Sequence, residues 1–362
     1  MQAEGYVCTT ADLLNLLLGA AATRDSLESV CTDLTAAPNA ATLRSYLNEQ
    51  LRVEDLPRLE QCLNDALAAE IPASVFATAR DLAIDYHDRP YYGKTAQSEG
   101  LWVRAEARDG TTRCYRVATA YLLLKDRRVT LAIRFVVPED DTVAVLRDLL
   151  KRLTGLKISS RRVFLDRGFA GVRVIRFLRK LHLRAVIACP IRGKRGGTRA
   201  LCHGRKSYRT SYTFASPQHG KATAELAVCR VFTTAKRTGR HPRRADWMIF
   251  ILIGLDWTPK QTQQQYRRRF GIESSYRCAR SVSGWTTSHN PAYRFVLIAV
   301  GFFLLNVWIS LRWLVARRPR RGGRVMEERH FRLRRCARFI ARAFEHLYGC
   351  IREIEPLSAQ PG

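Results

Sequence analysis

The order of strand-like and helix-like segments between residues 79 and 190 constrains the fold of this chain more than any other sequence feature. Apolar β-rich runs predict strands there, and apolar residues spaced by three and four positions predict helices between them. The predicted order is a strand at residues 82–85, a hairpin at 113–125 and 128–137, a helix at 143–155, a strand at 162–166, a helix at 171–181 and a strand at 183–189.

Three acidic residues fall at corresponding places in this order. Asp85 ends the first predicted strand, Asp166 ends the strand before the second helix, and Glu273 lies on a later predicted helix. Because the carboxyl ends of neighbouring parallel strands lie side by side, we expect these acids to converge although they are far apart in sequence. An aspartate after an apolar run is also a common turn former, and Asp88 and Asp81 are alternatives to Asp85.

The predicted fold class is therefore α/β, an RNase H-like mixed-sheet catalytic core with a β-rich insertion before the last core helix, plus a helical N-terminal region. Two helical segments of that region, residues 25–34 and 39–50, have the length of a helix-turn-helix that binds DNA ends, with a plain helical cap as the alternative. The expected domains are the N-terminal region at 1–78, the first part of the core at 79–190, the basic β-rich insertion at 191–255, the second part of the core at 256–316, and a basic linker with a C-terminal helix at 317–362. Within the insertion, β-rich runs predict strands at 208–214, 224–233 and 247–255, with basic loops at 192–209 and 236–244. Asn39 is the expected cap of the helix at 39–50.

The predicted catalytic helix, residues 263–280, carries polar side chains at helical spacing. Tyr266, Arg269, Glu273 and Arg280 are separated by three, four and seven positions, which places them within an arc of about 60° on one face of a continuous α-helix. A carboxylate between guanidinium and phenol groups suits a phosphodiester and its metal ions. An ordinary solvated charged helix is the alternative interpretation.

The charge of the chain indicates a polyanionic partner. Sixty-one Lys and Arg residues against thirty-two Asp and Glu residues give a formal net charge of +29. Nucleic acid best fits such a field, with a membrane surface or a general enrichment in arginine as alternatives. The ten cysteines are scattered without a CxxC pair, so we expect reduced thiols and no zinc site in a cytoplasmic, nucleoid-associated protein.

Residues 295–315 are the most apolar run in the chain and are long enough to span a bilayer. Asn306, Ser310 and Arg312 lie inside this run, and basic residues flank both of its ends, so the flanks show no positive-inside asymmetry. A helix that is apolar on all sides can also be the central helix of a large core. We therefore expect a buried helix and no membrane partner.

Two motifs carry a resemblance to a known family. Tyr266, Arg269 and Glu273 have the spacing of a Tyr-(2)-Arg-(3)-Glu-(6)-Lys signature, with Arg280 at the place of its lysine, and LDRGF at residues 165–169 is similar to the motif of a second catalytic aspartate. On these residues the chain resembles the DDE transposases of prokaryotic insertion sequences, in the cut-and-paste group that this signature defines. The pattern YRRRFGIESSYR at residues 266–277, followed by TTSHNP at 286–291, is similar to that of a subgroup well represented in archaea.

The resemblance implies a catalytic and metal-binding role for Asp85, Asp166 and Glu273, which would hold two Mg²⁺ ions, with Mn²⁺ as an alternative. It implies cleavage at terminal inverted repeats of double-stranded DNA, a hairpin intermediate, transfer of the 3′ ends into target DNA, and a homodimer on DNA. The implied DNA-binding residues are Tyr266, Arg269, Arg277, Arg280 and Trp247, where Trp247 would stack on a flipped base and Trp257 is the second candidate for that role.

Two other functions remain open from the sequence. An RNase H-like nuclease or resolvase would share the acids and cut without rejoining, whereas a basic DNA-binding regulator would bind without cutting. The insertion favours a transposase, because its basic and aromatic residues suit a clamp on a DNA backbone, although a solvated β subdomain has the same composition.

Overall fold

The computed structural model describes residues 8–69, 71, 78–94, 100–108, 110–124, 127–233, 244–321, 323–327 and 329–351. The chain divides into two compact units. A sheet unit comprises Ile71–Tyr91 and Trp102–Ser274, and a helical unit comprises Met1–Glu70, Tyr92–Leu101 and Ser275–Gly362. All three predicted acids, including Glu273, belong to the sheet unit.

The sheet unit is built around a mixed sheet with nine strands among the described residues. In chain order its elements are β1 (Arg80–Pro90), β2 (Val103–Arg108), β3 (Thr111–Leu124), β4 (Arg127–Val136), α5 (Thr142–Gly155), β5 (Ser160–Leu165), α6 (Val172–Lys180), β6 (Ala185–Cys189), β7 (Tyr208–Ser216), β8 (Gly220–Thr233), β9 (Arg244–Ile253) and α7 (Pro259–Tyr266). The strand order is β2-β3-β1-β5-β6-β9-β8-β7, and β4 also pairs with β3.

The strands β4-β3-β1-β5-β6 form an RNase H-like core. β1 is antiparallel to β3, and β3 to β4, whereas β5 is parallel to both β1 and β6. Parallel strands require crossover connections, which α5 and α6 supply. Leu82, Ala83 and Ile84 of β1 are fully buried, as expected for a strand at the centre of a sheet. The predicted α/β fold class is confirmed.

The first core strand is longer than predicted. β1 continues beyond Asp85 to Pro90 and stays paired with β3 as far as Cys114. The prediction that Asp85 ends its strand is therefore wrong. The polar residues after Asp85 resemble a loop in sequence, but the long strand β3 offers their backbone groups a continuous ladder of hydrogen-bond partners.

The β-rich insertion extends the same sheet. β9 is antiparallel to β6, β8 to β9, and β7 to β8. These strands coincide closely with the three predicted at residues 208–214, 224–233 and 247–255, and they cover the edge of β6. The second predicted basic loop, residues 236–244, lies outside the described residues except for Arg244, which begins β9.

The predicted catalytic helix is interrupted. α7 ends at Tyr266, a 3₁₀ turn occupies Arg267–Phe270, and α8 begins at Gly271 and ends at Arg280. A 3₁₀ turn advances about 120° per residue and an α-helix about 100°, so four such residues rotate the following positions by roughly 80°. The prediction of one continuous helix with one polar face is therefore wrong.

The helical unit is organised around one long helix. Its elements are α1 (Thr10–Thr23), α2 (Leu27–Thr32), α3 (Ala40–Gln50), α4 (Leu56–Ala69), α9 (Pro291–Val315), β10 (Arg317–Arg320), β11 (Gly323–Met326) and α10 (Leu333–Tyr348). α9 packs against α1, α4 and α10, and its Asn306 donates a hydrogen bond to the carbonyl of Leu67. Among the described helices, α9 alone has the length and hydropathy of a membrane span, and 61% of its most apolar window is buried, as predicted for a core helix.

Two further predictions concern the helical unit, one about the start of α3 and one about the segment after α9. Asn39 caps α3, since its side chain accepts a hydrogen bond from the amide of Ala41. The segment predicted as a basic linker instead begins with the antiparallel strands β10 and β11. Arginine-rich composition suggested a solvated linker, but backbone pairing between two short strands does not depend on apolar side chains.

Candidate active site

Asp85 and Asp166 converge on a single guanidinium group. Ile84 of β1 is in register with Leu165 of β5, so the two aspartates follow at the same level of adjacent parallel strands. One nitrogen of Arg269, Nη2, lies 2.7 Å from Oδ2 of Asp85 and 3.2 Å from Oδ1 of Asp166. The structure thus brings together two of the three predicted acids.

The environments of the two carboxylates differ. The Asp85 side chain is 9% exposed, whereas that of Asp166 is 32% exposed. Burial raises the pKa of Asp85 to about 7; the positive charge of Arg269 opposes this rise and the negative charge of Asp166 adds to it. The amide of Tyr86 donates to Oδ1 of Asp85, which leaves Oδ2 directed at Arg269.

Arg269 reaches the acids because a hydrogen bond between Tyr266 and β5 holds the 3₁₀ turn against the sheet. Tyr266, the residue before the turn, is 2% exposed, and its phenol donates a hydrogen bond to the carbonyl of Leu165. Its ring packs against Phe164 and Phe250. Sequence reasoning assigned Tyr266 and Arg269 to DNA; in the structure both side chains are buried and bonded within the protein.

Glu273 does not lie on the buried face that Tyr266 and Arg269 share. Its side chain is exposed in the first turn of α8, and Arg277 and Arg280 are exposed farther along the same helix. The 3₁₀ turn accounts for the difference, because it rotates α8 relative to α7. These three residues remain accessible to a large ligand.

Asp81, an alternative to Asp85, is instead the centre of an arginine cluster. Its buried carboxylate pairs with Arg161, Arg162 and Arg268 at 2.6–2.8 Å. Consecutive strand residues normally face opposite sides of a sheet, but the ladder between β1 and β5 skips Arg161, and this bulge directs both arginines to one carboxylate. Burial opposes ionisation of Asp81, yet its hydrogen bonds to Arg162 and Arg161 prevail and lower its pKa to about 2.

Asp88, the other alternative to Asp85, forms an ion pair with Arg116. Both of its carboxylate oxygens accept hydrogen bonds from Arg116, at 2.7 and 2.9 Å. Such a bidentate pair fixes the carboxylate in one orientation. Of the three aspartates on β1, Asp85 alone contacts the same group as Asp166.

The loop after Asp166 is held by aromatic stacking. Phe169 is buried and stacks on Tyr86, with ring centroids 4.5 Å apart and planes inclined by 6°. A Cβ atom on Gly168 would lie 3.2 Å from the Tyr86 ring, so glycine permits this close approach. These contacts fix the chain where Asp166 leaves β5.

Arg128 contacts the 3₁₀ turn that carries Arg269, and the sequence analysis did not identify this residue. Its Nη2 lies 3.5 Å from the carbonyl oxygen of Arg268, in the 3₁₀ turn. A Cβ atom on Gly271 would lie 1.8 Å from the Arg128 Cζ atom, so a side chain at that position would displace the guanidinium. The glycine inside a predicted helix was the one available signal, and it marks the junction between the turn and α8.

The two candidate tryptophans differ in their packing. Trp257 lies between the Arg162 guanidinium, 5.0 Å from its ring centroid, and the Phe164 ring at 6.5 Å. Trp247 is half-buried on β9, opposite Arg230 of β8. Trp257 is therefore part of the packing over β5, although it is half-buried as Trp247 is.

The donor set has the chemistry of a divalent-cation site. One carboxylate oxygen of Asp85 and one of Asp166 are directed at the same position, and carboxylate oxygens are ligands that divalent cations prefer. The guanidinium of Arg269 occupies that position in the structure. Within the part of the chain that the structure describes, no group of three or more His, Cys, Asp and Glu side chains is arranged to hold a metal ion. Glu273 would have to join the pair to complete such a group.

Comparison with known proteins adds evidence about the fold. No protein-family model and no curated protein sequence matches this chain. Among solved structures, it is similar to a piggyBac transposase seen by cryo-electron microscopy in a synaptic complex with hairpin DNA, with a TM-score of 0.57 over 95% of this chain and 74% of that chain. The sequences are 12% identical, so the similarity is one of fold alone, and this chain shares the fold of that protein.

Proposed function

We propose that this protein is a DDE transposase that cleaves DNA at the ends of an insertion sequence and transfers the freed 3′ ends into target DNA. The observation that carries the proposal is the convergence of Asp85 and Asp166 on one cation at adjacent parallel strands of an RNase H-like core. The transposase-like fold and the net charge of +29 support it.

The residues of the candidate site have distinct parts in this proposal. Asp85 is the buried acid of the site, and the amide of Tyr86 orients its carboxylate. Asp166 and Glu273 are the acids that DNA can reach, since both are more exposed. Arg277 and Arg280 on α8 would bind backbone phosphates.

Asp85, Asp166 and Glu273 would hold two Mg²⁺ ions, or Mn²⁺, and the bound ions would supply activation of the attacking oxygen and stabilisation of the leaving oxygen. Tyr266 would position the end of β5 through its bond to Leu165, and Arg269 would bind phosphate once it is released from the acids.

The proposed partners are double-stranded DNA with terminal inverted repeats, target DNA and a second copy of this chain. The spacing of Tyr266, Arg269 and Glu273 supports the insertion-sequence group with the Tyr-Arg-Glu-Lys signature. The structure of the piggyBac transposase, which is similar in fold, contains hairpin DNA, and this supports a hairpin intermediate here. In this proposal Trp247 stacks on an unpaired base of the hairpin. We propose a cytoplasmic, nucleoid-associated location.

An inactive DNA-binding regulator is the second candidate, because Arg269 occupies the point at which the two acids converge. Such a protein would bind DNA through its basic residues without cutting it. An RNase H-like nuclease or resolvase would cut without transferring an end.

The deciding experiment uses a plasmid that carries the DNA flanking this gene on both sides. Purified protein and Mg²⁺ are added, and wild type is compared with Asp166→Ala. Metal-dependent excision or hairpin ends with wild type alone support the transposase, and cleavage without end transfer selects the nuclease. Binding without cleavage selects the regulator, and equal cleavage by both proteins excludes Asp166 as a catalytic acid.

A further inference from the structure

Arg269 occupies the place that a divalent cation would take between the two acids. Its side chain is 5% exposed, and the same Nη2 atom contacts a carboxylate oxygen of Asp85 and one of Asp166. A buried carboxylate in its ionised form requires a positive partner, because its charge is poorly solvated there. Arg269 satisfies this requirement as long as no metal is bound.

The backbone around Arg269 is held by other contacts. Tyr266 is bonded to the carbonyl of Leu165, and Arg268 pairs with Asp81 at 2.6 Å. The 3₁₀ turn therefore has an anchor on each strand besides the contacts of Arg269 with the acids, and the Arg269 guanidinium also lies 5.6 Å from the centroid of the Tyr266 ring. Rotation of the Arg269 side chain away from the carboxylates would leave both of these anchors in place.

We propose that Arg269 is a resident counter-ion that a divalent cation must displace before Asp85 and Asp166 can bind that cation. The inference rests on the proposed function, which makes these two acids metal ligands. A guanidinium group and a metal ion compete for the same oxygen lone pairs and repel each other. The apparent metal affinity of the chain is therefore its intrinsic affinity multiplied by the fraction of molecules in which the acids are not paired with Arg269.

The test compares Mn²⁺ binding, by calorimetry and electron paramagnetic resonance, in full-length wild type, Arg269→Met and Arg267→Met without DNA. Arg267 is the matched control, since it lies in the same turn and its side chain is exposed. Arg269→Met should bind Mn²⁺ about tenfold more tightly or better, because no competitor remains, and Arg267→Met should match wild type. Binding by Arg269→Met that equals or is weaker than that of wild type overturns the proposal.

Thermal unfolding provides a second measurement on the same proteins. Without metal, Arg269→Met should unfold at a lower temperature than wild type, because Asp85 then lacks a positive partner. Saturating Mn²⁺ should raise its unfolding temperature more than that of wild type, since a ligand that binds only the folded state stabilises it. An equal rise of the unfolding temperature in both proteins contradicts the proposed exchange of Arg269 for a divalent cation.

A measurement on wild type decides the question if Arg269→Met does not fold. Phenylglyoxal modification, mapped by mass spectrometry, reports which guanidinium groups are accessible. Arg269 should be protected without metal and become reactive at saturating Mn²⁺. Continued protection at saturation overturns the proposal.

Asp166→Ala separates this inference from the function on which it rests. If Asp166→Ala binds Mn²⁺ as wild type does, the acids are not the metal site, and both proposals fail. If Asp166→Ala loses Mn²⁺ binding while Arg269→Met gains none, the metal site stands and the exchange alone is wrong.

Discussion

The phenol of Tyr266 donates a hydrogen bond to the main-chain oxygen of Leu165 over 3.0 Å. Leu165 is the last residue of β5 and immediately precedes Asp166, so this bond joins the end of α7 to the strand that carries a candidate acid. Burial raises the pKa of the phenol, which therefore stays protonated and able to donate. The bond links the helix and strand on which the candidate site depends.

Tyr266→Phe should lower the free energy of unfolding by about 1–2 kcal/mol, because a buried carbonyl loses its donor. Affinity for random duplex DNA should not change, since the phenol is not exposed. Urea unfolding and a DNA titration measure the two effects. Tyr208→Phe, which removes a phenol–carbonyl bond to Leu201, is the matched control. Loss of DNA affinity with unchanged stability would show that Tyr266 contacts phosphate directly.

Glu273→Gln should leave DNA affinity nearly unchanged and reduce cleavage at least about a hundredfold, because it removes a candidate metal ligand worth several kcal/mol in the transition state. The side chain is exposed, so the fold should tolerate the change. Gel-based cleavage and binding assays measure both quantities, with the exposed Glu28→Gln as control. Nicking at the wild-type rate would mean that another residue is the third acid.

Asp81 should make folding sensitive to acid. Its folded-state pKa is lowered to about 2, below the unfolded value, so its stabilising contribution is present above about pH 4 and is lost as the pH falls through 2. The shift corresponds to about 2 kcal/mol. Urea unfolding near pH 5 and near pH 2 should show this loss in wild type.

Asp81→Asn should be less stable near pH 5, because three arginines lose their common partner, and its stability should fall less on acidification. Glu28→Gln is the control, since Glu28 forms an exposed pair with Arg44 that contributes little. An acid dependence in Asp81→Asn equal to that of wild type would assign the effect to other carboxylates.

Trp257→Ala should destabilise the fold by about 2–3 kcal/mol, because the ring packs against Phe164 and beneath Arg162. Trp247→Ala should change stability by less than about 1 kcal/mol and impair the processing of hairpin DNA. Urea unfolding and a hairpin-opening assay distinguish these outcomes. If Trp257→Ala is stable and defective on hairpins, the two tryptophans have the opposite roles.

The element order could be predicted from sequence because it follows from local patterns. Apolar runs located β5, β6 and the insertion strands, and helical spacing located α5 and α6, all close to their observed bounds. Asp166 was placed correctly at the end of β5, since a strand and the polar residue that follows it are adjacent in the chain. The cap of α3 by Asn39 is equally local.

The position of Asp85 within its strand could not be predicted in this way. β1 continues past it because β3, more than twenty residues later, pairs with the polar residues that follow. Nor could sequence distinguish Asp85 from Asp81 and Asp88. Their arginine partners come from other strands and, for Asp81, depend on a bulge in the ladder.

The amino-acid sequence by itself determined the α/β class, the order of the core elements and the positive charge, because apolar periodicity and composition are properties of neighbouring residues. Only the tertiary structure decided that Arg269 lies between Asp85 and Asp166 and that Glu273 is on another face. The physical reason is that a 3₁₀ turn and the buried ion pairs that anchor it gain their free energy from contacts between distant segments, which no local pattern encodes.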